Sequence, residues 1–434
     1  MSARTEPARG MRDFLPEDVR RREYVIGIVK RVYERYGFEP LETPAVENLD
    51  TLMGKYGEEG NQLIFKILKR GEHEATGQAD LALRYDLTVP LARVIAHHQS
   101  KLPRLFKRYQ IQPVWRADRP ARGRFREFYQ CDVDTLGSAS PAVEVELCAA
   151  VADVLTELGF SDFKIRLNHR QLLTSNLNAV GVPEPLHGSA LVAVDKLDKI
   201  GADGVIAELV ERGVPQPAGR ALLEVLRGAH VHHDVAGTEA AANVAAILSL
   251  AEATSASRYL VPDWSLARGL SYYTGAIMEI NVADLAGSLG GGGRYDNLVG
   301  MFLGQSIPAC GFSLGLERIL VVMGERGMFP GTLLTTPADV MIAVFDSQDM
   351  SHALHLAALL RASGLRVLVY PDADKIGRQI KYADSRGIPF VAILGSDEIA
   401  KGTVTVKRLA AQTQHTWDQA AAGAAILEEL KIRG

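Results

Sequence analysis

The stretch Leu105–Asp134, LFKRYQIQPVWRADRPARGRFREFYQCDVD, constrains the fold more than any other part of the chain. Two strand-like segments, Tyr109–Arg116 and Phe125–Asp134, flank a loop rich in Pro, Gly and Arg, which predicts an antiparallel hairpin. Successive strand residues face opposite ways, so the second segment sets Phe128, Gln130, Asp132 and Asp134 against Tyr129, Cys131 and Val133. The second of these faces suits an apolar core, whereas the first is unusually polar. Arg116, Arg119, Arg122, Arg124 and Arg126 crowd the loop, and guanidinium forks bind phosphate oxygens in bidentate fashion without losing their charge. On charge alone a solvated basic hairpin weighs as much. The polar residues alternating within a strand tip the balance towards a site.

At 434 residues the chain exceeds one ordinary core, so two or three domains are expected. A helical pattern over Glu17–Tyr36 ends at Gly37, and Phe38–Val46 reads as a strand interrupted by Pro40 and Pro44. Helices are expected over Val89–His98 and Pro141–Leu158. From about 168 to 257 the texture turns alanine-rich and helical, as in Gly201–Arg212 and Gly237–Ala253, which predicts a helical insertion. Strand character returns at Tyr259–Val261 and Ala276–Val282, before the glycine run Gly290–Gly293 and a helix starting near Ser313. Residues 326–337 suit a linker. Beyond them, Val340–Phe345, Val367–Tyr370, Phe390–Leu394 and Thr403–Lys407 alternate with helices Met350–Ser363 and Ile376–Arg386, predicting a C-terminal α/β domain over 338–434 with a mostly parallel or mixed sheet.

Charge and composition narrow the function classes. A formal net charge of −4 gives no bulk attraction to nucleic acid, yet permits a local basic patch. An apolar share of 47% with 23% charged residues is that of a folded soluble protein. No run approaches the roughly 20 apolar residues of a membrane helix. Met1–Glu6 also lacks the apolar centre of a signal peptide, so a cytoplasmic protein is expected, with no membrane partner. Cys131, Cys148 and Cys310 are widely spaced and predict neither a disulfide framework nor a thiolate zinc site. His230, His232 and His233, beside Asp234, lie in the insertion far from other motifs; a solvated connector is expected there rather than a metal site.

The hairpin resembles motif 2 of the class II aminoacyl-tRNA synthetases. Trp115-Arg116-Ala117-Asp118 stands for the aromatic-Arg-x-acid signature and Gly123-Arg124-Phe125-Arg126-Glu127-Phe128 for the loop's return. Pro44 is similar to the motif 1 proline at the dimer interface, and Gly311-Phe312-Ser313-Leu314-Gly315-Leu316-Glu317-Arg318 to motif 3. Leu266-Ala267-Arg268-Gly269-Leu270-Ser271-Tyr272-Tyr273-Thr274-Gly275 resembles the histidine-pocket signature of the histidyl-tRNA synthetases, and Gly292-Gly293-Arg294-Tyr295-Asp296 the glycine-rich strand start that accompanies it. A kinked turn and a surface loop are the plain alternatives, but a turn needs only its glycines, not this arginine and tyrosine pair in series. Arg84-Tyr85-Asp86-Leu87-Thr88 fits the same picture, although Asp86 or Thr88 serves equally as a helix cap before Pro90.

The resemblance implies an α+β catalytic core with an antiparallel sheet over residues 1–325, a homodimer, and ATP-dependent ligation of L-histidine to tRNA(His) through a histidyl-adenylate, releasing AMP and pyrophosphate. It implies that Arg116 and Arg268 meet the reacting carboxylate and phosphate, Arg268 at a place where related enzymes often hold a metal ion. Phe128 would stack on adenine with Asp118 near its amino group, while Arg124 and Arg318 hold the distal phosphates and Mg2+ arrives with ATP. Asp86, Leu87, Thr88 and Gln130 would surround the α-amino group, and Asp134, Tyr272 and Tyr273 the imidazole. The C-terminal domain looks like an anticodon-binding domain, with Tyr370-Pro371-Asp372 and the basic helix start Lys375–Lys381, including Arg378.

Two residues depart from the family pattern. Ser271 stands where many members carry Asp, and Ala121 where many bacterial members carry an amide that reads the extra 5′ guanosine of the tRNA, a task that would fall to Arg119 or Arg122. The rival readings are a regulatory subunit of ATP phosphoribosyltransferase and a class II synthetase for threonine, proline or glycine. The first usually lacks the C-terminal domain, and the second lacks the Tyr272-Tyr273 signature.

Overall fold

The computed structural model describes residues 5–71, 76–228, 234–267, 272–285, 287–331, 333 and 336–431. The chain divides into two compact units, one containing Arg21–Phe329 and the other Pro330–Gly434. The first helix, α1 (Pro16–Arg35), carries Glu17 and Asp18 in its first turn and Arg35 in its last, each favourable to the helix dipole. Gly37 then adopts φ +74°, the left-handed geometry that stops a helix. In place of the single strand expected over Phe38–Val46 there are two short ones, β1 (Glu39–Pro40) and β2 (Val46–Asn48). Pro40 and Pro44 offer no N–H to the ladder and break the run.

After α2 (Leu49–Leu52), α3 (Gly57–Gln62) and β3 (Lys66–Leu68), strand β4 (Ala79–Leu83) completes a small antiparallel sheet of order β2-β4-β3. Helix α4 (Thr88–His98) leads to the predicted hairpin, β5 (Phe106–Trp115) and β6 (Glu127–Leu136), followed by α5 (Ala142–Glu157) and β7 (Lys164–His169). The alanine-rich stretch holds α6 (Arg170–Ala179), α7 (His187–Val194), α8 (Leu197–Glu211), α9 (Gln216–Leu226) and α10 (Val235–Ala251). Then come β8 (Leu260–Pro262), β9 (Ala276–Asn281), β10 (Ser288–Arg294), α11 (Gly300–Leu303), β11 (Ala309–Gly315) and α12 (Leu316–Glu325). The helix expected near Ser313 therefore starts at Leu316, and Ser313 lies in a strand.

Eight strands form the main sheet in the order β1-β5-β6-β11-β10-β9-β7-β8. Every neighbouring pair from β5 to β7 is antiparallel; only the edge pairs β1/β5 and β7/β8 run parallel. One face packs on helices. Val25, Ile28, Val29, Val32 and Tyr33 of α1 meet Tyr109, Cys131 and Val133 of the hairpin and the apolar residues of α5 in the largest core cluster. Burying such side chains stabilises by about 1.5–3 kcal/mol apiece. The four helices α6–α9 enclose a separate core around Leu173, Leu177, Leu191, Leu209 and Leu222, whereas α10 sends Val244, Ile247 and Ala251 into the main one.

The glycine run is a central strand. In β10 a Cβ at Gly293 would lie 2.9 Å from the Tyr273 ring, so glycine lets an aromatic side chain lie directly on the backbone. Next to it, Arg294 enters the interior and clasps Glu144 of α5 through two hydrogen bonds of 2.6 and 2.8 Å.

The smaller unit contains a five-stranded mixed sheet, ordered β13-β12-β14-β15-β16. Its elements are β12 (Val340–Val344), α13 (Met350–Ala362), β13 (Val367–Val369), α14 (Ile376–Ser385), β14 (Phe390–Leu394), α15 (Ser396–Lys401), β15 (Thr403–Arg408), β16 (Thr413–Asp418) and α16 (Gln419–Lys431). The first three strands of the order pair in parallel and the rest antiparallel. The last hairpin strand, α15 and α16 escaped the sequence reading. The residues TQHTWD of β16 are almost all exposed and show no apolar alternation.

Arg294→Ala would leave the Glu144 carboxylate buried without its partner, a change that costs about 3–5 kcal/mol. Urea denaturation of the variant should show that loss. Replacing both residues together by Met and Leu should cost much less, because no charge is then stranded.

Candidate active site

The polar face of β6 forms the floor of a cavity. Arg108 stands opposite Asp134 in the hairpin register and is fully buried. Its Nη2 lies 2.8 Å from Asp134 Oδ2 and 3.9 Å from Asp132 Oδ2. On the other side of β6, Asp134 faces Gly311 of β11, where a Cβ would come within 1.9 Å of Asp134 Oδ1. Only glycine leaves room for that carboxylate. The Tyr295 hydroxyl donates to the same Oδ1, so Asp134 is held from two directions.

Thr88, Asp132, Asp134, Tyr273, Tyr295 and Ser313 line one small space together with Gly291 and Gly311. Burial pushes the Asp132 carboxyl up to about 7, against the opposing pull of Arg108. Asp134 is also raised by burial, again opposed by Arg108 and by the Tyr295 hydroxyl. Ser313 Oγ accepts a hydrogen bond of 3.0 Å from Gln130 Nε2. These acids share a desolvated pocket, the setting that favours a ligand bringing positive charge and N–H donors.

Asp86 braces the next wall. Its Oδ1 accepts from the Val89 N–H at 3.0 Å, capping the first turn of α4, and from the Tyr56 hydroxyl at 3.0 Å. Its Oδ2 accepts from the Tyr272 hydroxyl at 3.2 Å. Burial raises its pKa, while the Val89 amide, Arg116 and both tyrosines oppose the rise. Tyr272 packs edge-on against Tyr273 and Tyr295, with centroids 5.2 and 6.0 Å away. Leu87 is buried, and its carbonyl faces Arg108 Nη2 at 3.4 Å.

Arg116 begins the loop between β5 and β6. Its Nε donates to the Tyr85 carbonyl at 3.0 Å, and its guanidinium lies 4.4 Å from the Tyr85 ring centroid and 5.1 Å from that of Phe128. The cation is thus held between two aromatic faces beside Asp86. Within the loop Arg124 pairs with Asp118 at 2.7 Å, and Arg126 Nε donates to the Asp118 carbonyl at 3.0 Å. Gly10 accepts from the Arg126 N–H at 2.8 Å, tying the N-terminal segment to the loop. Arg122 is bound to Glu325 and to the Asp284 carbonyl, while Arg119 is exposed. Arg318, at the start of α12, donates to the Ser288 carbonyl, and a Cβ at Gly123 would meet its stem at 3.2 Å. Beneath the loop's return, the buried Glu317 accepts from the Tyr129 N–H at 2.9 Å.

The structure therefore sets Thr88, Asp134 and Tyr273 in one pocket, with Gln130 bonded to Ser313 of its lining, Tyr272 packed on Tyr273 and bonded to Asp86, and Arg116 against Tyr85 and Asp86. Asp118 with Arg124, and Arg318 against Gly123, belong to the loop side. Arg268, Gly269, Leu270 and Ser271 lie outside the described residues, as do His230, His232 and His233. Among the described residues no group of three or more His, Cys, Asp or Glu is placed to hold a metal ion, and no helix is long and apolar enough to cross a membrane. Asp132, Arg108, Tyr295 and Ser313 had been given no role from sequence. The period-two pattern already placed Asp132 on the polar face, whereas nothing in the sequence marks Arg108 as its cross-strand neighbour.

Known proteins share the sequence pattern and fold of this chain. Residues 10–319 match the family described as histidyl-tRNA synthetase, and residues 339–429 match the anticodon binding domain. The histidine–tRNA ligase of Gloeobacter violaceus is 40% identical, over 97% of this chain and 98% of its own length. That of Porphyromonas gingivalis is 41% identical, over 92% of this chain and 94% of its own. The crystal structure of histidyl-tRNA synthetase from Nostoc sp. PCC 7120 superposes with a TM-score of 0.79 at 29% identity, covering 98% of this chain and 100% of that one.

Glu317 supplies a pH test. Burial raises its carboxyl from 4.5 to about 7 in the fold, so its contribution to stability is fully present below about 4.5 and is lost as pH rises through about 7. Relative to the native protein, Glu317→Gln should gain thermal stability steadily across that window and then level off. A melting-temperature difference that stays flat with pH would refute the assignment.

Proposed function

The chain belongs to the histidyl-tRNA synthetase family, and from that membership we propose which of its residues carry the ATP-dependent ligation of L-histidine to tRNA(His). The reaction has two halves. A carboxylate oxygen of histidine attacks the α-phosphorus of ATP, the bond to pyrophosphate breaks, and a histidyl-adenylate forms. A terminal ribose hydroxyl of the tRNA then attacks the acyl carbon and AMP leaves. The carboxylate is already a nucleophile at neutral pH, so the first half needs alignment and positive charge rather than a general base.

The observation that carries the reading is the position of Arg116. Its guanidinium is fixed by the Tyr85 carbonyl and two aromatic rings, and it borders Asp86, whose other oxygen reaches Tyr272 at the acidic pocket. A cation held in place before substrate arrives costs no reorganisation when charge develops on the phosphate. Arg116 takes that role together with Arg268. Phe128 offers its ring to adenine, with Asp118 near the exocyclic amine, and Arg124 and Arg318 take the distal phosphates. The donors on this side are guanidinium groups, and no described carboxylate cluster is built to cage a cation. Magnesium would therefore enter as part of MgATP, held chiefly by the nucleotide's own phosphates.

Asp86, Thr88 and Gln130, with the Leu87 backbone, receive the α-ammonium group, and Asp134, Tyr272 and Tyr273 enclose the ring. A buried polar pocket of this kind rejects apolar amino acids because they leave its donors and acceptors unpaired, a penalty of about 10⁴-fold or more. The smaller unit binds the anticodon, supported by its family match and by exposed cations at the start of α14, Lys375 and Arg378. The enzyme acts in the cytoplasm as a homodimer, as the motif 1 resemblance at Pro44 suggests.

Arg116→Ala should slow histidine-dependent ATP–pyrophosphate exchange by roughly 10²–10³-fold, the usual effect of removing one preorganised charge. Unchanged exchange would remove Arg116 from the mechanism. Replacing Lys375 and Arg378 together by alanine should raise KM for tRNA in aminoacylation while exchange stays as it was; equal KM values would displace the anticodon assignment from this helix start.

A further inference from the structure

We infer that Arg84 is a positioning residue for Arg116: its buried guanidinium fixes the irregular segment whose backbone carbonyl holds the Arg116 cation in place. The inference rests on the reading of Arg116 as the charge that meets the reacting phosphate. Arg84 follows directly on β4, lies outside any helix or strand and is only 1% exposed. Its Nε donates to the Pro113 carbonyl at 2.9 Å. Its Nη1 is shared among the Thr43 carbonyl at 2.6 Å, Gln112 Oε1 at 3.0 Å and the Pro44 carbonyl at 3.2 Å. None of these acceptors is a carboxylate. A cation buried among neutral groups is costly, and a Met side chain would fill the same space without that desolvation. What arginine adds is geometry: a planar fork of donors holds two separate backbone segments, 43–44 and 112–113, at fixed distances from its own.

The main chain carries the consequence to Arg116. The Arg84 N–H donates to the Ala45 carbonyl at 3.0 Å, and the Arg84 carbonyl accepts from the Trp115 N–H at 3.1 Å. The next carbonyl along, that of Tyr85, accepts from Arg116 Nε at 3.0 Å. Consecutive carbonyls thus seat consecutive residues at the end of β5. Among the described residues the Tyr85 carbonyl is the one hydrogen-bond acceptor of the Arg116 side chain, so moving that carbonyl moves the cation. Asp86, one residue further on, is braced separately by the Val89 amide and the hydroxyls of Tyr56 and Tyr272. Loosening Arg84 should therefore disturb Arg116 and spare Asp86.

Histidine-dependent ATP–pyrophosphate exchange on the full-length native enzyme, Arg84→Lys, Arg84→Met and Arg116→Ala tests the proposal. Active sites are counted from the adenylate formed at completion, so unfolded protein does not enter the rate. Arg84→Lys keeps a charge and donors for Thr43 and Pro44 but loses the fork, whereas Arg84→Met loses every donor. Per active site, kcat should fall about tenfold in the first and about 10²-fold in the second, the effect of a displacement of about 1 Å at a reacting group. KM for histidine should stay within about twofold of the native value in both, since the groups proposed to bind the amino acid keep their own partners. Should Arg84→Met not fold, Arg84→Lys carries the test.

A kcat per active site equal to the native value in the Arg84 variants overturns the proposal, whatever happens to their melting temperatures. So does a loss that falls on KM for histidine with kcat intact, which would make Arg84 a support for the amino-acid side instead. Exchange that Arg116→Ala leaves unchanged is a separate result, and it would remove the reading of Arg116 on which the inference stands.

Discussion

A single buried guanidinium makes the polar face of β6 tolerable. Asp132 and Asp134 are desolvated on the same strand, and with Asp86 nearby each raises the energy of ionising the others. Arg108 enters from the adjacent strand at the register position facing Asp134, with no exposure to solvent, and offsets part of that repulsion. Its attraction depends on hairpin pairing, because the arginine reaches the acids only across the β5/β6 ladder. The electrostatics of the pocket are in this sense a property of strand pairing. Removing Arg108 would leave the acids without compensation, which is the costly way to break a buried charge cluster.

The remaining parts of the site are arranged around that rigid floor. Two of the three inserted tyrosine contacts come from loops, Tyr56 and Tyr272 on Asp86, while Tyr295 follows directly on β10. Glycine in β10 and β11 removes side chains where Tyr273 and Asp134 need the space. Arg116 sits at the end of β5, where the regular sheet gives way to the loop that carries Asp118 and Arg124. The acids of β6 are thus fixed by sheet and core, while Asp118 and Arg124 lie on a loop whose return is tied to Gly10 and packs on Arg318. A stiff acidic floor beside an arginine-bearing loop suits the amino-acid and nucleotide roles proposed for the two.

Much of this was legible in the chain. The alternation from Phe128 to Asp134 foretold which face would be polar, and the long helix ending at Gly37 and the C-terminal alternation of strands and helices were found close to where they were expected. Other features could not be seen. Arg108 looks like any basic residue before a strand, since the register that buries it beside Asp134 is set by the opposite half of the hairpin. Gly290–Gly293 has the composition of a loop, and only the need to clear neighbouring backbone and the Tyr273 ring makes it a strand. The exposed β16 carries no apolar period because five of its six residues face solvent. In each case the deciding contact is made by residues distant in sequence.

The opposed faces of β6 carry one more consequence. Cys131 and Val133 lie in the main core, while Asp132 and Asp134 lie in the pocket. A slip of one residue in pairing would exchange the two sets, driving carboxylates among the valines of α1 and α5 and turning the valine outward. A misregistered hairpin is therefore penalised twice, in the core and in the cavity together. Chains that reach the folded state have, by that act, already placed their acids correctly, so assembly of the protein doubles as proofreading of its own recognition surface.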